Sequence, residues 1–159
     1  VPIGDFWTVH SEPFPCNSNA DGVFTEFSTR AKREFIMDNA TFCGRLNRVF
    51  ERIKRQYYDK RVILMTPLHR AYAYFGGTNI QPNELYSNKS GHFLDEYIRA
   101  ERQAADIWSV ELIDLYRNSG LFPLFDGSAQ ACFSNVNTDR LHPGNEGHRI
   151  IARTILNAL

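Results

Sequence analysis

Two short apolar runs, each preceded by an amphipathic helical pattern, constrain the fold of this chain most strongly. The runs are "VILMT", which begins at Val62 and is stopped by Pro67, and "SVELIDLY", which begins at Ser109. A short, continuous apolar run is typical of a strand that is buried on both faces. Strands that alternate with helices predict a parallel sheet with right-handed crossovers. The sequence therefore predicts an α/β fold with helices on both faces of a parallel sheet.

The first helix is predicted over residues 39–58, with Asn39 or Thr41 as its N-cap. Arg48, Arg52 and Lys54 are predicted on its solvent side. Its predicted apolar face consists of Phe42, Leu46, Val49, Phe50, Ile53 and Tyr57.

Two further amphipathic helices are predicted. Residues 92–108 carry one apolar stripe, and Ser90 is the predicted N-cap of that helix. Residues 144–159 form the closing helix, whose predicted inward side chains are Ile151, Ile155 and Leu159.

Composition excludes several classes of protein. The chain has 159 residues, enough for one domain, and its 18 Lys and Arg balance its 18 Asp and Glu. Without a run of like charges, binding to nucleic acid or to an anionic membrane surface is not expected. No apolar stretch is long enough for a transmembrane segment. Three cysteines (Cys16, Cys43 and Cys132) lack the spacing of a zinc or redox motif, so we expect buried thiols.

Two segments do not follow the alternation of helix and strand. They are residues 1–35 and residues 71–91, both rich in aromatic side chains, Gly, Pro and Asn. Long irregular segments in a compact domain are usually functional, and the second one starts where a parallel strand ends, at the usual position of a ligand crevice. Their aromatic side chains could form a sugar- or acyl-binding wall, or simply the core of the loops: Phe6, Trp7, Tyr72, Tyr74, Phe75 and Tyr86.

The segment "DRLHPG" places Asp139 three residues before His142, in a predicted loop ahead of the closing helix. A nucleophilic serine needs a neutral imidazole to take its proton, and that imidazole needs an acceptor on its other nitrogen. An Asp three residues away can supply this acceptor. An isolated D-x-x-H pair can equally be a turn cap beside a packed histidine, because short motifs occur freely.

The wider segment "DRLHPGNEGHRIIARTIL" resembles the last sequence block of the SGNH (GDSL-type) esterase and lipase superfamily. The resemblance extends over about residues 35–159 and implies a flavodoxin-like, three-layer α/β/α fold. It also implies that Asp139 orients His142, that His142 is the general base of a serine-dependent ester hydrolase, and that His148 is structural. The expected substrate is an acylated carbohydrate or a lipid ester.

Two blocks of that family are missing here. "GDFW" has Phe6 where the nucleophilic serine would stand, and "GGTN" is followed by Ile80 instead of Asp. We therefore expect residues 1–159 to be the C-terminal part of a single SGNH-hydrolase-like domain, with the serine and the oxyanion donors in an N-terminal segment of the same domain. Substitute serines are not expected because they lie in predicted loops: Ser87, Ser90, Ser128 and Ser134.

Further site residues are predicted at the end of the first strand and in the irregular segment after it, residues 71–91, which we call the excursion. The predicted substrate-binding residues are Thr66, His69, Arg70, Tyr72 and Tyr74. Asp114, at the end of the second strand, is expected to cap the next turn.

No cofactor and no metal are expected, because Asp139, His142 and His148 are poorly spaced to converge on one ion. The alternative function is a non-catalytic α/β binding or structural module with a vestigial D-x-x-H pair. Localisation stays open, with an exported bacterial enzyme suggested by the resemblance alone.

Overall fold

The computed structural model describes residues 34–159. The sequence features at residues 4–7, and Cys16, lie outside the described residues. The element order is helix, strand, a two-stranded excursion, helix, strand, two short helices, two strands and a closing helix.

Helices and a parallel strand pair build the first part of the fold. Helix α1 spans Phe42–Gln56, β1 spans Ile63–Met65, α2 spans Leu94–Trp108 and β4 spans Glu111–Ile113. Strands β1 and β4 are parallel neighbours, with Ile63 opposite Glu111. The predicted α/β fold class is therefore confirmed.

Of the two N-caps predicted for α1, Asn39 and Thr41, the structure has Thr41. Its hydroxyl accepts a hydrogen bond from the backbone N–H of Gly44. Its buried face is rotated from the predicted one, because Val49 is exposed whereas Asn47 is fully buried. The Asn47 side chain accepts a hydrogen bond from Trp108 Nε1 at 2.8 Å and donates one to the carbonyl of Ile36 at 2.9 Å. These bonds make a polar residue acceptable in the core.

Helix α2 does not begin at Ser90. Its N-cap is Phe93, and the Glu96 carboxylate accepts the Phe93 backbone N–H at 2.7 Å, which lowers the pKa of Glu96. The Glu96 side chain, three residues after the N-cap, thus satisfies the Phe93 backbone N–H, which has no acceptor within the helix. Between α1 and α2, the buried core consists of Cys43, Phe50, Ala100, Ala104, Ala105 and Val110.

A second, antiparallel sheet contains two segments that were predicted as irregular. Strands β2 (Ala73–Tyr74) and β3 (Ile80–Gln81) form a hairpin in the excursion, and β6 (Asp139–Pro143) includes the predicted DRLHPG loop. With β5 (Phe133–Asn135), the sheet order is β3-β2-β6-β5. The loop prediction for these segments was wrong, because strands of two to five residues beside Gly and Pro show no periodicity.

Three helices complete the described chain. They are α3 (Leu115–Asn118), α4 (Asp126–Cys132) and α5 (Asn145–Ala158). Helix α5 partly buries Ile151 and Ile155 as predicted, whereas Leu159 is exposed beyond its last turn. A small core of Leu121, Cys132 and Phe133 packs against Ile150 and Ile151 of this helix.

Strand β1 has one neighbour among the strands of residues 34–159, namely β4. Ile63 and Leu64 are only partly buried, and Met65 is 50% exposed. The prediction of a strand buried on both faces is therefore not met within the described part of the chain. One edge of β1 keeps its backbone groups unpaired there, as on any edge strand.

The expectation of buried thiols holds for one of the two described cysteines. Cys132 is a buried free cysteine as expected, whereas Cys43 is disulfide-bonded and is not a free thiol. Within residues 34–159, none of the helices has the length and apolar character needed to cross a membrane.

Candidate active site

Asp139 and His142 form a hydrogen-bonded carboxylate–imidazole pair at the two ends of the D-x-x-H segment. Nδ1 of His142 lies 3.0 Å from Oδ2 and 3.2 Å from Oδ1 of Asp139. The Asp139 side chain is 18% exposed and the His142 side chain 46% exposed. The carboxylate is thus largely shielded from water, while the imidazole is open on one side.

The local backbone explains why this pair forms. Oδ1 of Asp139 also accepts the backbone N–H groups of Leu141 at 3.1 Å and His142 at 3.0 Å. The carbonyl of His142 accepts the hydroxyl of Ser134 at 3.0 Å, from neighbouring β5. The chain around His142 is therefore held by side-chain bonds on both sides, and the ring position follows from this turn.

Gly147 fixes the start of α5 against the same segment. A Cβ atom at this position would lie 2.3 Å from the carbonyl oxygen of Cys132 and 2.8 Å from Cβ of Pro143. The helix can therefore approach so closely only because residue 147 has no side chain. The backbone N–H of Gly144 donates to the same Cys132 carbonyl at 2.8 Å, so one carbonyl anchors the turn that follows His142.

The imidazole of His142 lies beside an aromatic ring, that of Phe75. The ring centroids of Phe75 and His142 are 5.3 Å apart with an interplanar angle of 57°. Nε2 of His142 has no hydrogen-bond partner in residues 34–159, and Nδ1, the other ring nitrogen, donates its proton to the Asp139 carboxylate. Such an imidazole can take a proton at Nε2 while the carboxylate stabilises the resulting charge.

No serine in the described part of the chain is hydrogen-bonded to this imidazole. Ser134 uses its hydroxyl for the backbone of His142, and the hydroxyl of Ser128 accepts the backbone N–H of Phe122. Nor do three His, Cys, Asp or Glu side chains of residues 34–159 form a group that could hold a metal ion.

Thr66 lies at the end of β1 and is buried. Its hydroxyl donates to Oδ1 of Asp114 at 3.2 Å and accepts the backbone N–H of Tyr116 at 3.0 Å. Burial raises the pKa of Asp114, but hydrogen bonds from Arg102, at 2.7 Å, and from the Arg117 backbone outweigh it, so the pKa is lowered overall. Asp114 caps α3, as expected. These contacts give Thr66 a role in joining β1 to α3, and its contact with substrate stays a prediction.

His69 and Arg70 both form hydrogen bonds with Glu84, a residue that no sequence motif singles out. His69 Nδ1 lies 2.6 Å from Glu84 Oε1, and the Arg70 backbone N–H donates to Oε2 at 2.9 Å. The His69 ring stacks 3.7 Å from Tyr116, and burial lowers the pKa of Arg70 to about 10. The Glu84 carboxylate thus fastens the far end of the excursion to the end of β1.

Tyr72 and Tyr74 are exposed on the hairpin that pairs with β6. Ala73, between them, is the register partner of Asp139. Side chains of consecutive strand residues point to opposite faces of a sheet. Tyr72 and Tyr74 therefore project from the face opposite to that of Ala73. The structure therefore brings the predicted excursion to the Asp–His pair, but Phe75, rather than Tyr72 or Tyr74, contacts the imidazole.

Comparisons with known proteins add support for the fold. No protein-family model matches this chain, and no curated protein matches it either. A crystal structure with 25% identity aligns at a TM-score of 0.66 over 77% of this chain and 53% of its own length. A protein from Lactobacillus plantarum has 27% identity and a TM-score of 0.63, over 76% of this chain and 53% of its own.

A third structure is described as a possible lipase from Chitinophaga pinensis DSM 2588. It has 17% identity and a TM-score of 0.62, and the alignment covers 99% of this chain and 68% of that protein. At this identity the similarity supports the fold alone. The chain spans about half the length of the first two structures.

Proposed function

We propose that this chain supplies the general base and its orienting carboxylate to a serine-dependent ester hydrolase. The observation that supports the proposal most is the Asp139–His142 hydrogen bond, beside an Nε2 atom that has no hydrogen-bond partner within residues 34–159. The resemblance of residues 139–156 to the last block of SGNH hydrolases points in the same direction. So does the fold shared with a protein described as a possible lipase.

In the proposed reaction, Nε2 of His142 takes the proton of a serine hydroxyl as the oxygen attacks the ester carbonyl. The Asp139 carboxylate stabilises the imidazolium and keeps the ring in the required tautomer. His142 then gives the proton to the departing alkoxide, which leaves as an alcohol. Water attacks the acyl-enzyme in a second step, with His142 again as the base.

The serine and the oxyanion donors are proposed to come from a segment of the same domain that lies N-terminal to the described residues. Within residues 34–159 one edge of β1 has no strand neighbour, which supports this proposal because a further strand could pair with that edge. The alignment over only 53% of two similar structures is consistent with a larger domain. The proposed substrate is an acylated carbohydrate or a lipid ester.

A non-catalytic α/β module is the alternative, in which the Asp139–His142 pair only shapes a turn. The two bonds from Asp139 to the backbone N–H groups of Leu141 and His142 would serve that purpose by themselves. What favours catalysis is access: the His142 side chain is 46% exposed and its Nε2 has no hydrogen-bond partner within residues 34–159, so a serine hydroxyl could approach this atom.

A fluorophosphonate probe tests the proposal, because it labels only a serine that a neighbouring base activates. The full-length natural protein is labelled, digested and mapped by mass spectrometry, together with His142→Ala and a control, His148→Ala, on the exposed side of α5. We expect labelling of one serine N-terminal to residue 34, lost in His142→Ala and kept in His148→Ala. Absence of labelling, or labelling that is independent of His142, would favour the non-catalytic alternative.

A further inference from the structure

A cavity of about 250 Å³ lies beside the second sheet, where the excursion meets strand β6. Its walls include the polar side chains of Tyr72, Asn83, Asn137 and Arg140, together with Leu124 and Val136. The volume is slightly below the usual range for small-molecule pockets, roughly 300–1,000 Å³, so it suits a ligand about as large as one sugar ring.

The cavity is separate from the Asp139–His142 pair. The residues that line it do not include Asp139, His142 or Phe75. The backbone N–H of Arg140 donates to the carbonyl of Tyr72 at 3.0 Å, so these two lining residues lie opposite each other on neighbouring strands. A ligand in the cavity would therefore contact Arg140 and Tyr72 rather than the Asp139–His142 pair.

The positive charge of Arg140 is already compensated. Its Nε donates to the carbonyl of Val136, and its Nη2 forms an ion pair with Asp126. Nη1 lies at 3.5 Å from the carbonyl of Pro123. The other residues around the cavity are uncharged. A phosphate or carboxylate would have to compete with Asp126 for this guanidinium, so an anionic ligand is disfavoured.

Uncharged polar groups remain available at the wall. Asn83 uses its Oδ1 to accept the backbone N–H of Leu85 at 2.9 Å, and its amide donors have no partner within residues 34–159. The side chain of Asn137 and the hydroxyl of Tyr72 likewise make no hydrogen bond within that part of the chain, and both residues are exposed. An aliphatic chain in this cavity would remove these groups from water without replacing their hydrogen bonds.

We propose that this cavity binds a neutral, hydroxyl-rich ligand, namely a sugar residue of a carbohydrate chain, at a site distinct from the Asp139–His142 pair. The Tyr72 ring supplies an apolar face for the C–H side of a sugar, and the two asparagines supply hydrogen bonds to its hydroxyls. The proposal goes beyond ester hydrolysis and does not depend on it, because binding here needs no chemistry at His142.

Isothermal titration calorimetry on the full-length natural protein tests the proposal. The probes are three neutral oligosaccharides without ester groups (xylohexaose, cellohexaose and hexa-N-acetylchitohexaose), with inorganic phosphate and octanoate as contrasting ligands. The variants Tyr72→Ala and Asn137→Ala alter exposed side chains, so they should fold normally, as checked by circular dichroism. Tyr58→Ala is the matched control, an exposed tyrosine outside the cavity wall.

We expect at least one oligosaccharide to bind with a Kd of about 1 mM or tighter, and each cavity variant to weaken it about tenfold, or about 1.4 kcal/mol. Sugar binding should be unchanged in Tyr58→Ala and in His142→Ala. Loss of hydrolysis in His142→Ala is therefore distinguishable from loss of sugar binding. The proposal is overturned if none of the three sugars binds, or if their binding is the same in both cavity variants. It is also overturned if Tyr72→Ala abolishes binding of phosphate or octanoate instead.

Discussion

Nδ1 of His142 lies 3.0 Å from Oδ2 of Asp139, while Oδ1 of the same carboxylate accepts the backbone N–H of His142 at 3.0 Å. One carboxylate therefore fixes both the ring and the chain that carries it. Asp139→Asn should separate these two roles, because an amide oxygen can still accept a backbone N–H but cannot stabilise an imidazolium by its charge.

We expect Asp139→Asn to lower kcat for p-nitrophenyl acetate by about 10³- to 10⁴-fold with little change in thermal stability. Asp106→Asn, at an exposed position of α2, is the control and should retain normal kinetics. A loss of less than about tenfold in kcat would mean that Asp139 only shapes the turn.

Phe75 covers one side of the His142 ring, so its removal should loosen the imidazole without unfolding the protein. An aromatic contact of this type contributes about 0.5–1.5 kcal/mol, and Phe75→Ala should therefore lower kcat about twofold to tenfold. Tyr74→Ala, at the preceding residue, removes an exposed ring that points to the other face. Equal effects of the two variants on steady-state kinetics would show that the contact has no specific role.

The larger elements could be predicted from the sequence because each of them has a clear apolar pattern. Helices α1, α2 and α5 and the parallel pair of β1 and β4 lie within the segments predicted for them. Thr41, one of the two N-caps predicted for α1, could be identified because a hydroxyl just before a helical pattern can accept a backbone N–H of the first turn. Rotation of the α1 face could not be foreseen, since Asn47 is buried only because Trp108 and Ile36 satisfy it.

The candidate site was only partly predictable. The D-x-x-H spacing identified Asp139 and His142, and three residues of chain suffice to bring them together. The contact with Phe75 and the role of Glu84 depend on the pairing of β2 with β6 and on the return of the excursion to His69. Contacts between segments so far apart in the sequence leave no local signal, and strands of two residues show no alternation that could have revealed them.

Gly147 should tolerate no side chain, since a Cβ would lie 2.3 Å from the carbonyl oxygen of Cys132. We expect Gly147→Ala to lower the free energy of unfolding by about 1–3 kcal/mol, measured by urea denaturation. Gly127→Ala is the matched control in α4, where a Cβ would meet nothing within 4 Å. It should be neutral or stabilising by up to about 1 kcal/mol. Similar losses in both variants would rule out the close approach of α5 as the cause.

Glu101 of α2 should make stability depend on pH. Burial raises its pKa to about 8, the Asp114 carboxylate adds to this effect, and Arg102 opposes it. The unfolded chain releases this proton near the ordinary value of 4.5. Between these values the folded state binds more protons, so the contribution of Glu101 to the free energy of unfolding falls as pH rises.

Glu101→Gln keeps the shape of the protonated side chain and removes its titration. We therefore expect little difference from the natural protein at about pH 5 and a variant more stable by a few kcal/mol at about pH 8, by urea denaturation at both values. A stability difference that is the same at both pH values would contradict this account of Glu101.

The most direct test of the central claim is the kcat of p-nitrophenyl acetate hydrolysis by full-length His142→Ala, compared with the natural protein and with His148→Ala. If the imidazole of His142 is the general base, kcat should fall by about 10²- to 10⁴-fold in His142→Ala and stay within about twofold in His148→Ala. Ester hydrolysis by folded His142→Ala at the rate of the natural protein would contradict the claim.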